Sequence, residues 1–324
     1  IEIAHDDAGR GKVAAYRQCS SLTAQLIFVI IIGVIIGLIV FPGDDFTTAI
    51  IGNVVCSMWV TIGLYLSYRA LDDRKKTQER SGNVIAYAFG KLFHTFKEAR
   101  KYPETFKFLL MHSMGSSGVG SIITQLATYG IVQLQFSGFQ ISVIVVIILI
   151  FAIPAAMLYG YCLAPKFSPK TLQIGNIVWF ILFVLYFGII VNGPGLFMAA
   201  IPGALMVGIG FGFWYSLNFA HYMKLVPANQ KSEFVGLYSF CAYLPRFLPP
   251  LVYNGFVEGL NDHQLAFLSL LLWFLLSLML ICFIDFQKGE EDAKGTPNND
   301  TGAEMANVKA VADDATVKVD TVSM

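Results

Sequence analysis

The chain has 324 residues, of which 56% are hydrophobic and 14% charged, and its 22 basic residues balance 22 acidic ones. A soluble domain carries about 25% charge, so this composition excludes an ordinary water-soluble globule and points to a membrane. With no net charge and a single basic connector, no nucleic-acid partner is expected and the lipid bilayer is expected instead.

A helix needs roughly 20 residues to cross the hydrocarbon core. Residues 1–21 carry Arg10, Lys12 and Arg17 and read as a cytoplasmic segment; the start at Ile1, with no apolar signal run, reads as a fragment of something longer. Apolar runs then predict eight crossings, at 22–41, 47–68, 104–128, 139–163, 172–191, 197–222, 233–256 and 265–285. Strand crossings would need alternating polarity, which runs such as 143–153 lack. The connectors 42–46, 129–138, 192–196 and 257–264 contain no Lys or Arg, whereas the intervening ones do. Cytoplasmic loops retain the basic residues, so an even number of crossings with both termini in the cytoplasm is expected. The connector 69–103 is strongly basic, and its stretch 84–101 has apolar residues at helical spacing, which predicts a helix along the membrane surface. Residues 286–324 are rich in Asp, Lys, Ala, Thr and Gly and are expected to stay disordered. The connector divides the crossings into two plus six, and six after a long cytoplasmic loop is the second half of a common carrier design.

Cys19, Cys56, Cys162, Cys241 and Cys282 avoid the outward connectors and read as small buried apolar residues. The five His are scattered, without metal-ligand spacing, so no metal or other cofactor is expected. Neither Gly-Lys pair is followed by Ser or Thr, which disfavours an ATP-binding loop. An intramembrane enzyme is disfavoured as well, because His112 and His221 have no evident nucleophile or metal partner.

Polar groups inside the membrane mark function, since each must face protein or water. On a wheel of about 100° per residue, His112, Ser113, Ser116, Ser117, Gly120 and Thr124 share one half of the crossing 104–128. That half is either a packing seam or a water-lined pathway, and His112 favours the pathway. The glycine-rich run 115–120 is a candidate break in the helix. Arg246 lies about 13 residues into its span, where a guanidinium costs about 2.5 to 3.5 kcal/mol. It is either a structural ion pair in a helix kinked by Pro245, Pro249 and Pro250, or a guanidinium that holds a substrate carboxylate. Gly208 and Gly212 form a helix contact motif, as do Gly33 and Gly37, and Asn218 is a candidate cavity residue.

The segment Lys231-Ser232-Glu233-Phe234-Val235-Gly236-Leu237-Tyr238-Ser239-Phe240 resembles a motif of the autophagy-related vacuolar amino-acid effluxers, a branch of the major facilitator superfamily. Glu233, Gly236, Tyr238 and Ser239 carry that likeness, supported by Tyr102-Pro103 through Gly118-Val119 and by the loop from Gly160 to Lys170. The resemblance implies an all-α bundle holding the last two helices of the first half and the complete second half, with four N-terminal helices missing. It implies a secondary transporter that exports amino acids from a vacuole or lysosome-like compartment to the cytosol during autophagy, by alternating access. The chain departs from the pattern: the family's acidic residue in the seventh helix is Ser117 here, its Lys is Tyr243, and its Gly-Pro is Pro249-Pro250. Arg246, three residues beyond Tyr243, is expected to replace the lost charge. His112, Ser116, Ser117, Asn218, Tyr238 and Arg246 are the expected pathway residues, with His112 as a proton-sensitive group. The alternatives are a non-transporting receptor, scaffold or scramblase on the same fold, or a carrier of another small organic solute.

Overall fold

The protein is described by a computed structural model, in which residues 7–32, 45–70, 90, 95–227 and 231–294 are placed. Among these residues every regular element is a helix. In chain order they are α1 (Asp7–Val29), α2 (Asp45–Ala70), α3 (Pro103–Val132), α4 (Gly138–Leu158), α5 (Pro169–Ile190), α6 (Phe197–Tyr222), α7 (Lys231–Tyr243), α8 (Leu248–Leu260), α9 (His263–Leu268), α10 (Leu270–Cys282) and α11 (Phe286–Lys294). Six helical stretches are long and apolar enough to cross a bilayer: Lys12–Ile32, Ile50–Arg69, Gly138–Leu163, Pro169–Ile190, Phe197–Tyr222 and His263–Cys282. The chain is an all-α, multi-pass membrane protein.

The remaining two expected crossings coincide with α3 and with the α7–α8 pair. Helix α3 is 30 residues long but carries too many polar side chains to register by hydropathy alone. The span 233–256 is not one helix: a 3-10 turn, Leu244–Phe247, separates α7 from α8. The cause is local, because Pro245, Pro249 and Pro250 have no N–H to donate and their rings crowd the preceding turn. At the other end, α1 starts at Asp7, well before the expected start at residue 22. Its early turns are held by packing, with Ala14, Ala15 and Leu22 buried against α4 and α6. The expected surface helix is placed only at Gly90 and from residue 95 onward, where 95–99 is helical; Gly33 and Gly37 lie outside the described residues.

Helix ends follow the local chemistry. Ser137 and Gln140 form a reciprocal capping box at the start of α4, Ser168 caps α5 through the Thr171 amide, and Asp262 accepts from the Gln264 and Leu265 amides ahead of α9. Pro103 and Pro169 occupy first-turn positions that need no donor. Asn261 ends α8 in the left-handed region with φ of 50°.

Helix α10 packs against α3 and α5, and α4 lies along α6. Phe180 and Phe274 stack at 5.2 Å in the centre of the first contact, beside Trp214. The α4–α6 contact is close enough that a Cβ at Gly208 or Gly212 would collide with the backbone carbonyls of Ile148 and Ala152. Helix α2 is different, because its apolar side chains, including Val54, Met58, Trp59 and Leu64, are exposed almost throughout. Cys56, Cys162 and Cys282 are likewise exposed and not buried as expected; all five cysteines are free thiols. An apolar thiol gains nothing from burial where the surrounding solvent is itself hydrocarbon.

The expected disordered tail begins with structure. Glu104, buried at the start of α3, pairs with Lys107 at 2.8 Å and accepts from the Asp285 amide at 2.8 Å. Lys170 donates to the carbonyls of Cys282 and Ile284, at 2.9 and 3.0 Å. The Asp285 carboxylate then caps α11 through the amides of Gln287 and Lys288, and Phe286 packs edge-on against Phe108 and His221. Composition alone hides this helix, since it is held by side chains far away in sequence.

A Gly212→Val substitution forces α4 and α6 apart, and overpacking of this kind costs about 1–3 kcal/mol. Its melting temperature in detergent falls below wild type, whereas Gly236→Ala, where a Cβ meets nothing within 4 Å, does not lower it. Equal melts for the two variants would show that the α4–α6 contact is not close-packed.

Candidate functional site

Five side chains of α3, α5 and α6 that carry polar groups meet in one buried cluster. Asn218 on α6 organises it. Its Nδ2 donates to the Trp214 carbonyl one turn back, at 2.9 Å, which orients the amide oxygen away from its own helix. That oxygen accepts from Gln173 Nε2 on α5 at 2.8 Å and lies 3.4 Å from His112 Nδ1 on α3. An acceptor at Nδ1 favours the tautomer with the proton on that nitrogen. The Ser116 hydroxyl lies 3.2 Å from Nδ1 and 3.3 Å from Nε2; with the proton on Nδ1 it is Nε2 that accepts from Ser116 Oγ, and Ser116 in turn accepts from Trp214 Nε1 at 3.4 Å. The resulting sequence of bonds runs Trp214, Ser116, His112, Asn218, Gln173, and all five side chains are buried.

The cluster is enclosed by rings. Tyr238 on α7 lies over the His112 imidazole, 4.0 Å between centroids and 14° between planes. Phe108 and Trp214 stack more distantly, at 6.3 and 6.2 Å. Tyr222 fixes the position of α7: its hydroxyl donates to the Phe234 carbonyl at 2.8 Å and its ring meets Tyr238 at 4.8 Å. Phe219 touches Tyr238 edge-on, and the Arg17 guanidinium of α1 sits 4.4 Å above the Phe219 ring. Helix α1 therefore reaches the rings over His112 through a cation–π contact. Nearby, Tyr16 bonds to Tyr161 and Lys12 sits 5.4 Å from the Tyr161 ring.

His112, Ser116, Asn218 and Tyr238 thus converge. Ser117 does not join them, since it is wholly buried and its hydroxyl donates to the Ser113 carbonyl of its own helix at 2.7 Å. The motif residues also separate: Tyr238 faces His112, Glu233 accepts from Thr95 at 3.3 Å, Gly236 is exposed, and Ser239 is exposed and bonds back to Val235. Helix α3 continues unbroken through the run 115–120, against expectation. Gly115 and Gly118 there admit the rings of Trp214 and Phe274, so these glycines serve packing and not a helix break. Arg246 meets α3 elsewhere, from the Leu244–Phe247 turn. Its Nη2 donates to the Gly120 carbonyl at 2.8 Å, and its Cζ is 5.8 Å from the Tyr243 ring. Gly120 is two turns beyond His112, or ~12 Å along the axis. Gln173 is the residue that sequence reasoning missed; a polar amide inside the run 172–191 was the signal that would have found it.

A family model described as "Vacuole effluxer Atg22 like" matches residues 11–294. The chain belongs to that family. Among relatives of these Atg22-like effluxers is "Autophagy-related protein 22" of Saccharomyces cerevisiae (strain ATCC 204508 / S288c), 24% identical over 223 residues, covering 65% of this chain and 41% of the yeast protein. The protein of the same name from Kluyveromyces lactis is 22% identical over 225 residues, 67% of this chain and 46% of its own length. "Uncharacterized MFS-type transporter YxiO" of Bacillus subtilis (strain 168) is 25% identical over 206 residues, 64% of this chain and 47% of the bacterial protein. The chain spans less than half the length of these relatives, and no solved structure matches it. All the clustered side chains fall within the stretch matched by the Atg22-like family, which is one of membrane transporters of the major facilitator type.

An Asn218→Leu substitution removes the acceptor shared by the Gln173 amide and the His112 ring, leaving Gln173 the Met111 sulfur and His112 the Ser116 hydroxyl. Each buried donor that loses its acceptor costs about 1–3 kcal/mol, so the variant melts clearly below wild type in detergent, while Ser117→Ala, which removes only an intrahelical bond, stays within ~0.5 kcal/mol. A stable Asn218→Leu protein would mean that the amide is not the centre of the network.

Proposed function

We propose that this protein is part of a secondary carrier that moves amino acids from a vacuole or lysosome-like compartment to the cytosol, by alternating access, during autophagic recycling. One observation carries the reading: an imidazole, a hydroxyl and two amides from three helices are gathered deep in a helical bundle and capped by a tyrosine on a fourth. A bundle that needed only to pack would fill these positions with apolar side chains, because polar groups in a membrane interior are costly. Transporter binding sites occupy such a depth, between halves that rock about them. The names of the yeast relatives and of the family supply the vacuole, efflux and autophagy.

The topology that goes with this function has eight crossings, with α3 and the broken α7–α8 pair completing the six most apolar ones, and both termini in the cytoplasm. The absence of Lys and Arg from alternate connectors supports that orientation. Two crossings, at 22–41 and 47–68 as read from sequence, belong to the first half-bundle, and 104–285 form the second. The contact between Arg17 and Phe219 then lies between the halves, where rocking would make and break it. Tyr238, resting on His112, links α7 to the cluster. His112 is the group through which protons couple to transport, since protonation puts a donor on both ring nitrogens and removes the acceptor offered to Ser116.

The test is uptake of labelled neutral amino acids into vesicles carrying the protein at its full natural length, with and without an imposed pH gradient. Saturable flux that unlabelled amino acids compete away is expected, and His112→Gln, which keeps the hydrogen bonding but cannot take up a proton, makes that flux insensitive to the gradient. Absence of amino-acid flux under both conditions would reject the carrier reading for this substrate class. Wild-type gradient dependence in His112→Gln would reject the proton role alone.

A further inference from the structure

Arg246 sits where a charged side chain has least reason to be. It lies in the Leu244–Phe247 turn, about midway along the stretch from Lys231 to Leu260, so that ~20 Å of helix separates it from either end. That distance is too long for a guanidinium to snorkel to the headgroups, and a lipid phosphate cannot reach it from the surface. One of its nitrogens is committed, because Nη2 donates to the Gly120 carbonyl at 2.8 Å. Gly120 is itself close to the middle of α3.

The glycine makes this contact possible. A Cβ at position 120 would overlap Nε, Cζ and Nη2 of Arg246, so the guanidinium lies flat against bare backbone. The planar fork is thereby held in one orientation while the side chain as a whole stays exposed. A guanidinium has five N–H donors, and one carbonyl accounts for a single one of them. Among the described residues no carboxylate lies within ion-pair distance of Arg246. The Tyr243 ring flanks the charge at 5.8 Å without supplying an acceptor in the plane of the fork.

The geometry points to Arg246 as the residue that binds the carboxylate of the transported solute, held in place by Gly120 at the break between α7 and α8. A carboxylate matches the free edge of a guanidinium with two parallel hydrogen bonds. The proline-broken turn keeps the fork from being buried in a continuous helix face. Because the turn that holds Arg246 follows directly on α7, a ligand bound at Arg246 acts beside the helix whose Tyr238 rests over His112. This inference rests on the carrier reading and adds to it the group that selects small carboxylates over their neutral analogues.

The experiment compares labelled leucine uptake, competed by unlabelled leucine or by leucinamide, which lacks the carboxylate. It uses the protein at its full natural length as wild type, Arg246→Ala, Arg246→Lys and Gly120→Ala, with the abundance of folded protein in the vesicles measured for each. In wild type, leucine competes and leucinamide does so about tenfold or more less well. Arg246→Ala raises KM about tenfold or more with a smaller change in kcat, and abolishes the discrimination between leucine and its amide. Arg246→Lys restores part of it, since the charge remains and the fork does not. Gly120→Ala, which leaves the arginine in place but displaces it, shifts KM and discrimination in the same direction as Arg246→Ala. Wild-type flux with unchanged discrimination in a folded Arg246→Ala protein overturns this assignment alone, and so does unchanged discrimination in Gly120→Ala if Arg246→Ala fails to fold. A wild-type protein that moves no amino acid overturns the carrier reading and this assignment together.

Discussion

A polar side chain inside a bilayer is costly unless it finds a partner on another helix or its own backbone, a demand that the amides of Gln125 and Asn176, buried without a hydrogen-bond partner among the described residues, leave unmet. Asn218 shows how one amide meets that constraint. Its donor bonds back to α6 and its acceptor receives α5 and α3, so three helices share a single oxygen. The registers of α3, α5 and α6 are coupled through that point. The stacked rings of Phe180 and Phe274 and the close approach at Gly208 and Gly212 pack around an arrangement that the amide makes specific.

Rigid and broken helices have different tasks in this bundle. Helix α3 runs without interruption past its glycines, so His112 and Gly120 keep a fixed separation. The α7–α8 pair is interrupted by proline chemistry and presents Tyr238 before the break and Arg246 within it. Both of these side chains contact α3, at His112 and Gly120 respectively. A change in the angle at the break therefore alters both contacts at once.

Much of this was legible in advance. Apolar runs located the helices, since length and hydropathy act locally, and Ser137, Ser168 and Asp262 announced helix starts through their own side chains. The wheel of α3 placed His112 and Ser116 on one face. It put Ser117 there too, yet that hydroxyl turned back to its own backbone, because a serine in a helix can bond the carbonyl four residues earlier wherever no better partner is offered. Gln173 went unnoticed, although it was polar in an apolar run, because its importance depends on what stands opposite it. Helix α11 was hidden for a related reason: its composition is that of a solvated tail, and Glu104, Asp285 and the rings of Phe108 and His221 are what give it a place.

The sequence by itself determined that the chain is a helical membrane protein, where its apolar helices lie, and that the prolines at 245, 249 and 250 disturb the stretch that holds α7 and α8. These are outcomes of local chemistry: transfer of side chains into hydrocarbon, backbone satisfaction within a helix, and the missing amide of proline. Only the tertiary structure decided which polar residues meet. Asn218 pairs with Gln173 and His112, Arg246 with the Gly120 carbonyl, and Tyr238 with the imidazole face, across separations of 45 to 126 residues. Such pairings follow from helix packing angles and close approach at small residues, which no periodicity along a single segment encodes.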